Sequence, residues 1–194
     1  MTRSSTEAIV LVGPMGAGKT SIGRRVAREL QLPFSDTDSL IVRDHGPIAQ
    51  LFASHGEARF REIERGAVLE ALAQGGVVAL GGGAVLDADT RADLSAHHVV
   101  LLTVSPRIVR ARIQGASRPL LADGDDPVAR WESIMASRSA LYADVADVTF
   151  DTSSGPLSHV VSDIVSWVRG VVEDHAGPGD ENVRDALSEP SESK

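Results

Sequence analysis

Cysteine is absent from this chain of 194 residues, and long apolar runs are absent as well. Without cysteine the protein can form no disulfide, thiol nucleophile or thiolate metal site, which fits a cytoplasmic location. No apolar run approaches the roughly 20 residues that a membrane-spanning helix needs. The first apolar run, at 8–12, begins so close to Met1 that we expect no signal peptide.

Lysine is scarce too, since only Lys19 and Lys194 stand beside 17 arginines. In so arginine-rich a chain, a lysine within the body indicates a position where a guanidinium will not serve. Lys19 is that residue, and its sequence context supplies the reason.

The net charge of −8 is unevenly distributed. Residues 173–194 hold seven acidic residues against two basic ones, which leaves −3 for the body. So weak a charge gives no reason to expect binding to nucleic acid or to an anionic membrane. We expect one folded domain at 1–172, followed by a disordered acidic tail at 173–194 that is rich in Gly, Pro and Ser.

Short apolar runs alternate with segments of helical periodicity along the body. The runs that predict strands are 8–12, 33–38, 76–80, 98–104 and 147–150. Helical segments run up to Leu30 and cover 39–74, 87–96, 106–113, 127–142 and 156–172, with breaks near Gly46-Pro47 and His55-Gly56. The alternation predicts an α/β fold with a central parallel sheet flanked by helices. Turn residues at 114–126 predict a mobile lid.

Residues 13–20, GPMGAGKT, match the pattern G-x-x-x-x-G-K-[ST] at every fixed position. The motif follows a buried strand run and opens a helix, so its backbone N–H groups and the helix N-terminus can face a polyphosphate. Lys19 would place a point charge between the β- and γ-phosphates, and Thr20 would offer its hydroxyl to Mg²⁺. The sequence therefore predicts a P-loop domain that binds a nucleoside triphosphate.

The surrounding residues narrow the class of P-loop protein. The guanine-reading motif Asn-Lys-x-Asp is absent, which argues against a GTPase. The strand run at 76–80 leads into Gly81-Gly82-Gly83 without the acidic residue that motor and transporter ATPases carry there. Glycines at the carboxyl end of a parallel strand bring bare backbone to the ligand crevice, with a flexible turn as the alternative. These features favour a small-molecule kinase.

Asp36 and Asp38 close the second strand run, at the same edge of the sheet as the phosphate loop. Side chains two residues apart on extended backbone point the same way. One carboxylate can then help to hold Mg²⁺ and its waters, while the other accepts a hydrogen bond from the acceptor hydroxyl as a base. A helix cap at Asp38 is the structural alternative.

Three arginines are candidate anion ligands. Arg61 and Arg138, in helices far apart in sequence, could grip a carboxylate bidentately, although most arginines are solvated surface charges. Arg118 stands in the predicted lid and is suited to closing over the γ-phosphate.

Taken in order, the motifs GPMGAGKT, DTD, FREIE, LGGGAV, RPLL and RSALY resemble those of the shikimate kinase family over residues 7–172. The resemblance implies a single-domain P-loop kinase fold with a lid. It also implies ATP-dependent phosphorylation of the shikimate 3-hydroxyl to shikimate 3-phosphate, on the route through chorismate to aromatic amino acids, with Mg²⁺ as cofactor.

Motif positions within the resemblance imply the following roles. The catalytic residues would be Lys19, Asp38 and Arg118, with Thr20 and Asp36 at the metal. ATP would be bound by Gly16, Ala17, Gly18, Lys19, Thr20, Ser21 and Arg118. Shikimate would be bound by Asp38, Arg61, Gly82, Gly83 and Arg138. Glu64 would orient Arg61, and Phe52 and Phe60 would wall the ring or serve as ordinary core residues.

The chain departs from the family where members often carry an adenine-binding arginine, because Ser153-Ser154 stand there. Either Arg110 or Arg112 could face the nucleotide instead. Two alternatives stay open: a kinase of another small acid such as gluconate, and a nucleotide-binding regulatory protein with a degenerate acceptor site. We expect ATP and shikimate as partners of a monomer, without nucleic acid or membrane.

Overall fold

The computed structural model describes residues 7–113 and 126–175. Within them the strands are β1 (Ile9–Val12), β2 (Phe34–Asp36), β3 (Val77–Ala79), β4 (His98–Thr103) and β5 (Val148–Asp151). The α-helices are α1 (Lys19–Glu29), α2 (Thr37–His45), α3 (Ile48–Gln74), α4 (Ala88–Leu94), α5 (Pro106–Ile113), α6 (Pro127–Val145) and α7 (Leu157–His175). A short 3₁₀ helix, Ala84–Leu86, follows β3 and was not predicted.

The five strands form one parallel sheet in the order β2-β3-β1-β4-β5. Strand β1 lies at its centre and pairs with β3 and β4. The predicted parallel α/β architecture is confirmed. Because all strands run the same way, the carboxyl ends of β1, β2 and β3 meet at one edge, where the phosphate loop, the Asp36 segment and the glycine run follow them.

Helices cover both faces of the sheet, and alternate residues of β1 enter two different cores. Leu11 packs with apolar residues of α1, α5, α6 and α7, among them Ile22 and Ile164. Val10 packs on the opposite face with residues of α3 and α4, such as Val68 and Leu94. The continuous apolar character of this run therefore comes from burial on both faces.

Helices α2 and α3 also share a small core of their own. Ile41, Leu51, Phe60 and Ala67 pack together there. The two helical breaks expected in this region are confirmed. Helix α2 ends before Gly46, and Gly56 interrupts α3 with φ 76° and ψ 174°.

Several predicted boundaries were wrong by a few residues. Helix α2 begins at Thr37 rather than at residue 39, and α6 continues to Val145. The predicted lid lies almost wholly outside the described residues, as do residues 176–194 of the predicted tail. Within the described part of the chain, no helix combines the length and apolar character needed to cross a membrane.

Candidate active site

The phosphate loop joins β1 to α1 and curls back on itself. Gly18, just before α1, has φ 91°, a backbone conformation that glycine adopts without strain. A side chain at Gly13 (φ 134°) would meet the backbone oxygen of Leu102 at 2.2 Å. The Lys19 ammonium donates to the carbonyl oxygens of Gly13 and Pro14 at 2.7 and 3.0 Å. The loop is therefore a compact turn, and two of its own carbonyl oxygens hold the Lys19 ammonium.

A cleft of about 810 Å³ runs from this loop to α2, α3 and α6. Most residues predicted for the site line it: Gly16, Gly18, Lys19, Thr20, Ser21, Asp36, Asp38, Arg61, Gly82, Gly83 and Arg138. Ala17 does not, because its side chain is fully buried in the core. The fold thus gathers residues from seven separate elements and loops into one cavity.

Asp36 and Asp38 lie along the cleft, but not as expected. Strand β2 ends at Asp36, so Asp38 belongs to the first turn of α2 and the premise of a shared extended backbone was wrong. The expected alternative of a cap at Asp38 was also wrong. Asp36 is the cap, since its Oδ1 accepts from the backbone N–H of Ser39 at 2.9 Å.

Thr20 and Asp36 form an oxygen-rich corner beside the phosphate loop. The Thr20 hydroxyl donates to Asp36 Oδ2 at 2.6 Å. The described residues contain no group of three or more His, Asp or Glu side chains able to hold a metal ion. A hydroxyl beside one carboxylate nevertheless fits Mg²⁺, which takes few protein ligands and fills its other positions with water and phosphate oxygens.

A partly buried ion-pair network surrounds Arg61 in the cleft. Arg61 donates to Glu64 at 2.6 Å and to Glu57 at 3.0 Å, both on α3. Burial raises the pKa of Glu64, and the nearby Asp38 carboxylate adds to the increase while Arg61 opposes it. The geometry confirms the expected contact between Glu64 and Arg61.

The glycine run after β3 makes room for this network. A Cβ at Gly81 would lie 2.7 Å from an Asp38 carboxylate oxygen and 2.8 Å from one of Glu64. A Cβ at Gly83 would lie 2.1 Å from Arg61 Nη1. Charged side chains from α2 and α3 therefore pack directly against the backbone of these glycines, and a methyl group at either position would displace them.

Helix α6 contributes one predicted and two unpredicted residues. Arg138 Nη1 and the Tyr142 hydroxyl both donate to the carbonyl oxygen of Gly82, at 3.0 and 2.6 Å. Trp131 Nε1 donates to the carbonyl oxygen of Met15 at 2.9 Å. Tyr142 lies four residues from Arg138 and Trp131 lies seven residues from it, a spacing that puts all three side chains on one helix face. This spacing is the feature of the sequence that could have identified Tyr142 and Trp131.

Phe52 and Phe60 contribute both to the cleft lining and to the small core between α2 and α3. Phe52 and Phe60 line the cleft with ring centroids 4.4 Å apart, and Phe60 is also a member of the small core between α2 and α3. The Arg61 guanidinium carbon lies 5.4 Å from the centroid of the Phe60 ring. An apolar wall therefore supports the arginine.

The other residues predicted to contact the nucleotide lie either outside the cleft lining or outside the described residues. Arg118 and the side chain of Arg112 lie outside the described residues. Arg110, on α5, is exposed and lies 3.7 Å from Asp126. Ser153 accepts a hydrogen bond from the N–H of Ser105 at 2.8 Å, so an uncharged turn stands where an adenine-binding arginine was sought.

A phosphate loop, oxygen ligands beside it, and arginines and carboxylates that line the same cleft define the class of protein. The cleft is that of a P-loop kinase acting on a small acceptor that bears a negative charge.

Comparison with known proteins identifies the family of kinases to which the chain belongs. The sequence model named shikimate kinase matches residues 15–169. Shikimate kinase of Streptomyces coelicolor is 46% identical over 151 residues, which cover 76% of this chain and 87% of that protein. Shikimate kinase of Mycobacterium leprae is 39% identical over 180 residues, which cover 91% and 90%. The chain belongs to the shikimate kinase family.

Solved structures agree with this assignment. The shikimate kinase of Acinetobacter baumannii in complex with shikimate superposes with a TM-score of 0.80 at 33% identity, covering 84% of this chain and 93% of that one. A gluconokinase from Sinorhizobium meliloti superposes with a TM-score of 0.57 at 18% identity, which shows the fold alone.

Proposed function

We propose that the protein transfers the γ-phosphoryl group of ATP to the 3-hydroxyl of shikimate, giving shikimate 3-phosphate for the synthesis of chorismate and aromatic amino acids. Its membership of the family supports this activity. The observation that carries it is that one cleft is lined both by the phosphate loop and by Arg61 and Arg138.

At the nucleotide end, Gly16 to Ser21 would surround the phosphates of ATP with backbone N–H groups. Lys19 already lies at the mouth of the loop, held by two carbonyl oxygens that a phosphate can replace as its partners. Its compact ammonium would neutralise charge on the β- and γ-phosphates as the transfer proceeds. Arg118 would add a second cation from the lid in the same step.

Thr20 and Asp36 would hold Mg²⁺, the hydroxyl directly and the carboxylate through water. When bound, the ion would neutralise and orient the phosphates. The existing hydrogen bond from Thr20 to Asp36 keeps both oxygen ligands together, and the backbone N–H of Ser39 fixes the second carboxylate oxygen.

At the acceptor end, Arg61 and Arg138 would bind the shikimate carboxylate, since guanidinium groups match carboxylates bidentately. Gly82 and Gly83 line the same end and would bring backbone groups within reach of the substrate. Glu64 has one oxygen 2.6 Å from Arg61 Nη1 and would hold that guanidinium in its binding orientation.

Asp38 would bind the reacting hydroxyl and accept its proton. It lines the cleft between the phosphate loop and the arginines, and one of its oxygens would contact a Cβ at Gly81. The bonding to the transferred phosphoryl group is loose, so most of the rate acceleration comes from aligning the hydroxyl with the γ-phosphate and from stabilising charge.

We also propose that the enzyme acts in the cytoplasm as a monomer. The large exposed apolar residues of the described chain are Leu32, Val42, Leu69 and Leu86. They are scattered over four elements and loops, which supports the absence of an extended apolar interface.

The acceptor assignment is tested with Arg61→Ala and Arg138→Ala, measured by ADP release at saturating MgATP. Each loses a charge-assisted contact of about 1.5–3 kcal/mol, so the KM for shikimate should rise roughly 10- to 150-fold. Arg59→Ala is the matched control, because Arg59 is exposed on the same helix as Arg61 and pairs only with Glu62 in the salt bridges of the described residues. Equal KM values for all three variants would contradict the assignment.

A further inference from the structure

The carbonyl oxygen of Gly82 receives two hydrogen bonds from one helix. Arg138 Nη1 lies 3.0 Å from it, and the Tyr142 hydroxyl lies 2.6 Å from it. Arg138 and Tyr142 are four residues apart on α6, so their side chains lie on the same face. Tyr142 is 1% exposed, and Arg138 is 9% exposed. The two donors and the carbonyl oxygen form a buried triangle, with the Gly82 oxygen as the shared acceptor.

This triangle constrains a part of the backbone that is otherwise free to turn. Glycine has the widest choice of backbone angles, and Gly81, Gly82 and Gly83 follow one another here. In a planar trans peptide the carbonyl and the next N–H point in opposite directions. Fixing the Gly82 carbonyl therefore fixes the Gly83 N–H, in a loop that lines the cleft.

The triangle also sets the direction of the Arg138 guanidinium. Arginine has five N–H donors in a planar fork, and one nitrogen is used on Gly82. The Tyr142 hydroxyl holds the same carbonyl oxygen in place as the acceptor of Arg138. Burial raises the pKa of Tyr142, so its hydroxyl remains protonated and able to donate near neutral pH.

We propose that Tyr142 is a positioning residue for the acceptor carboxylate, acting through Arg138 and the Gly82 peptide. The inference rests on the proposed function, because it takes the substrate of Arg138 to be shikimate. Tyr142 does not bind the acceptor itself. It holds two groups that do, and so raises the affinity for the acceptor without changing the affinity for ATP.

Tyr142→Phe tests this, since it removes the hydroxyl and keeps the ring that fills the core. We expect the KM for shikimate, and the shikimate Kd from calorimetry without nucleotide, to rise about three- to tenfold, the value of one hydrogen bond. The kcat and the KM for ATP should stay within twofold of wild type. Ser139→Ala is the control, because its exposed hydroxyl donates only within α6, to Ala136, and no parameter should change.

Two results would overturn the inference. One is a shikimate KM and Kd within twofold of wild type. The other is an equal loss of affinity for shikimate and ATP, which a general loosening of α6 would produce. Wild-type protein with shikimate is measured in the same series, so an inactive wild type refutes the proposed function, whereas an active wild type with an unaffected variant refutes only the role of Tyr142.

Discussion

Replacement of Gly83 by alanine tests the role of Arg61 without changing the Arg61 residue itself. Gly83 has φ −98° and ψ −13°, a conformation that alanine adopts without strain. The three atoms nearest to an added Cβ all belong to the Arg61 guanidinium, at 2.1, 2.9 and 3.1 Å. The new methyl group therefore displaces one charged group and leaves the backbone in place.

The size of the displacement sets the expected effect. Nη1 of Arg61 must move by about 0.9 Å to bring the contact from 2.1 to 3.0 Å. Binding constellations work within about 0.5 Å of their productive geometry, and an error of 1 Å can cost about 100-fold. We expect Gly83→Ala to raise the KM for shikimate about 10- to 100-fold, with the KM for ATP within twofold and the unfolding midpoint within about 4 °C.

Gly66→Ala is the matched control for this experiment. Gly66 lies on α3, five residues after Arg61, and an added Cβ there would meet nothing within 4 Å. It should leave every kinetic constant unchanged and stabilise the helix by about 0.5–1 kcal/mol. Coupled ADP release gives the kinetics, and thermal denaturation gives the stability. A shikimate KM for Gly83→Ala within twofold of wild type would refute the account of Arg61 as an acceptor ligand.

Three further predictions concern the phosphate loop, the base and an acid-sensitive histidine. Lys19→Met should lower kcat at least about 100-fold in the ADP-release assay, because it removes charge stabilisation at the phosphates. Asp38→Asn should lower kcat about 100- to 10,000-fold with little change in ATP affinity, and a kcat within twofold would exclude Asp38 as base. Burial lowers the pKa of His97 from 6.5, and its Nδ1 accepts the N–H of Ala8, so stability should be full above pH 6.5 and fall as His97 is protonated below it. Thermal midpoints between pH 7.5 and 5 should drop more steeply for wild type than for His97→Gln, and parallel curves would contradict this.

The features that could be predicted from the sequence are those whose residues lie close together in one short segment of the chain. The phosphate loop is one such segment, because its glycines, its lysine and the adjoining strand and helix are neighbours in sequence. Strands β1, β3 and β4 were predicted for the same reason, since burial on both faces leaves an unbroken apolar run. Strands β2 and β5 are less buried and contain polar residues. Membership of the family then followed from the order of the motifs.

Contacts between distant residues could not be predicted in this way. Trp131 and Met15 are 116 residues apart, and Tyr142 and Gly82 are 60 apart, so only the folded sheet brings them together. The close approach of the Arg61 guanidinium to Gly83 likewise joins α3 to a distant loop, and no local sequence pattern predicts it. Spacing along α6 marks one helix face, but it does not say which carbonyl that face will meet.

The error at Asp36 and Asp38 has a physical origin too. A run of three strand residues is too short to show where extended backbone ends. Asp36 accepts the N–H of Ser39, and this cap starts α2 two residues earlier than periodicity suggests. The pair consequently occupies a strand end and a helical turn, which separates the carboxylate beside Thr20 from the one near Glu64.

The central claim is that this cleft passes a phosphoryl group from ATP to shikimate, and ADP release with MgATP tests it most directly. Shikimate, gluconate and no acceptor are compared at equal enzyme concentration. We predict turnover that depends on shikimate and greatly exceeds both other rates. Equal rates in all three reactions, or a faster reaction with gluconate, would leave the nucleotide site in place and contradict the assignment of the acceptor.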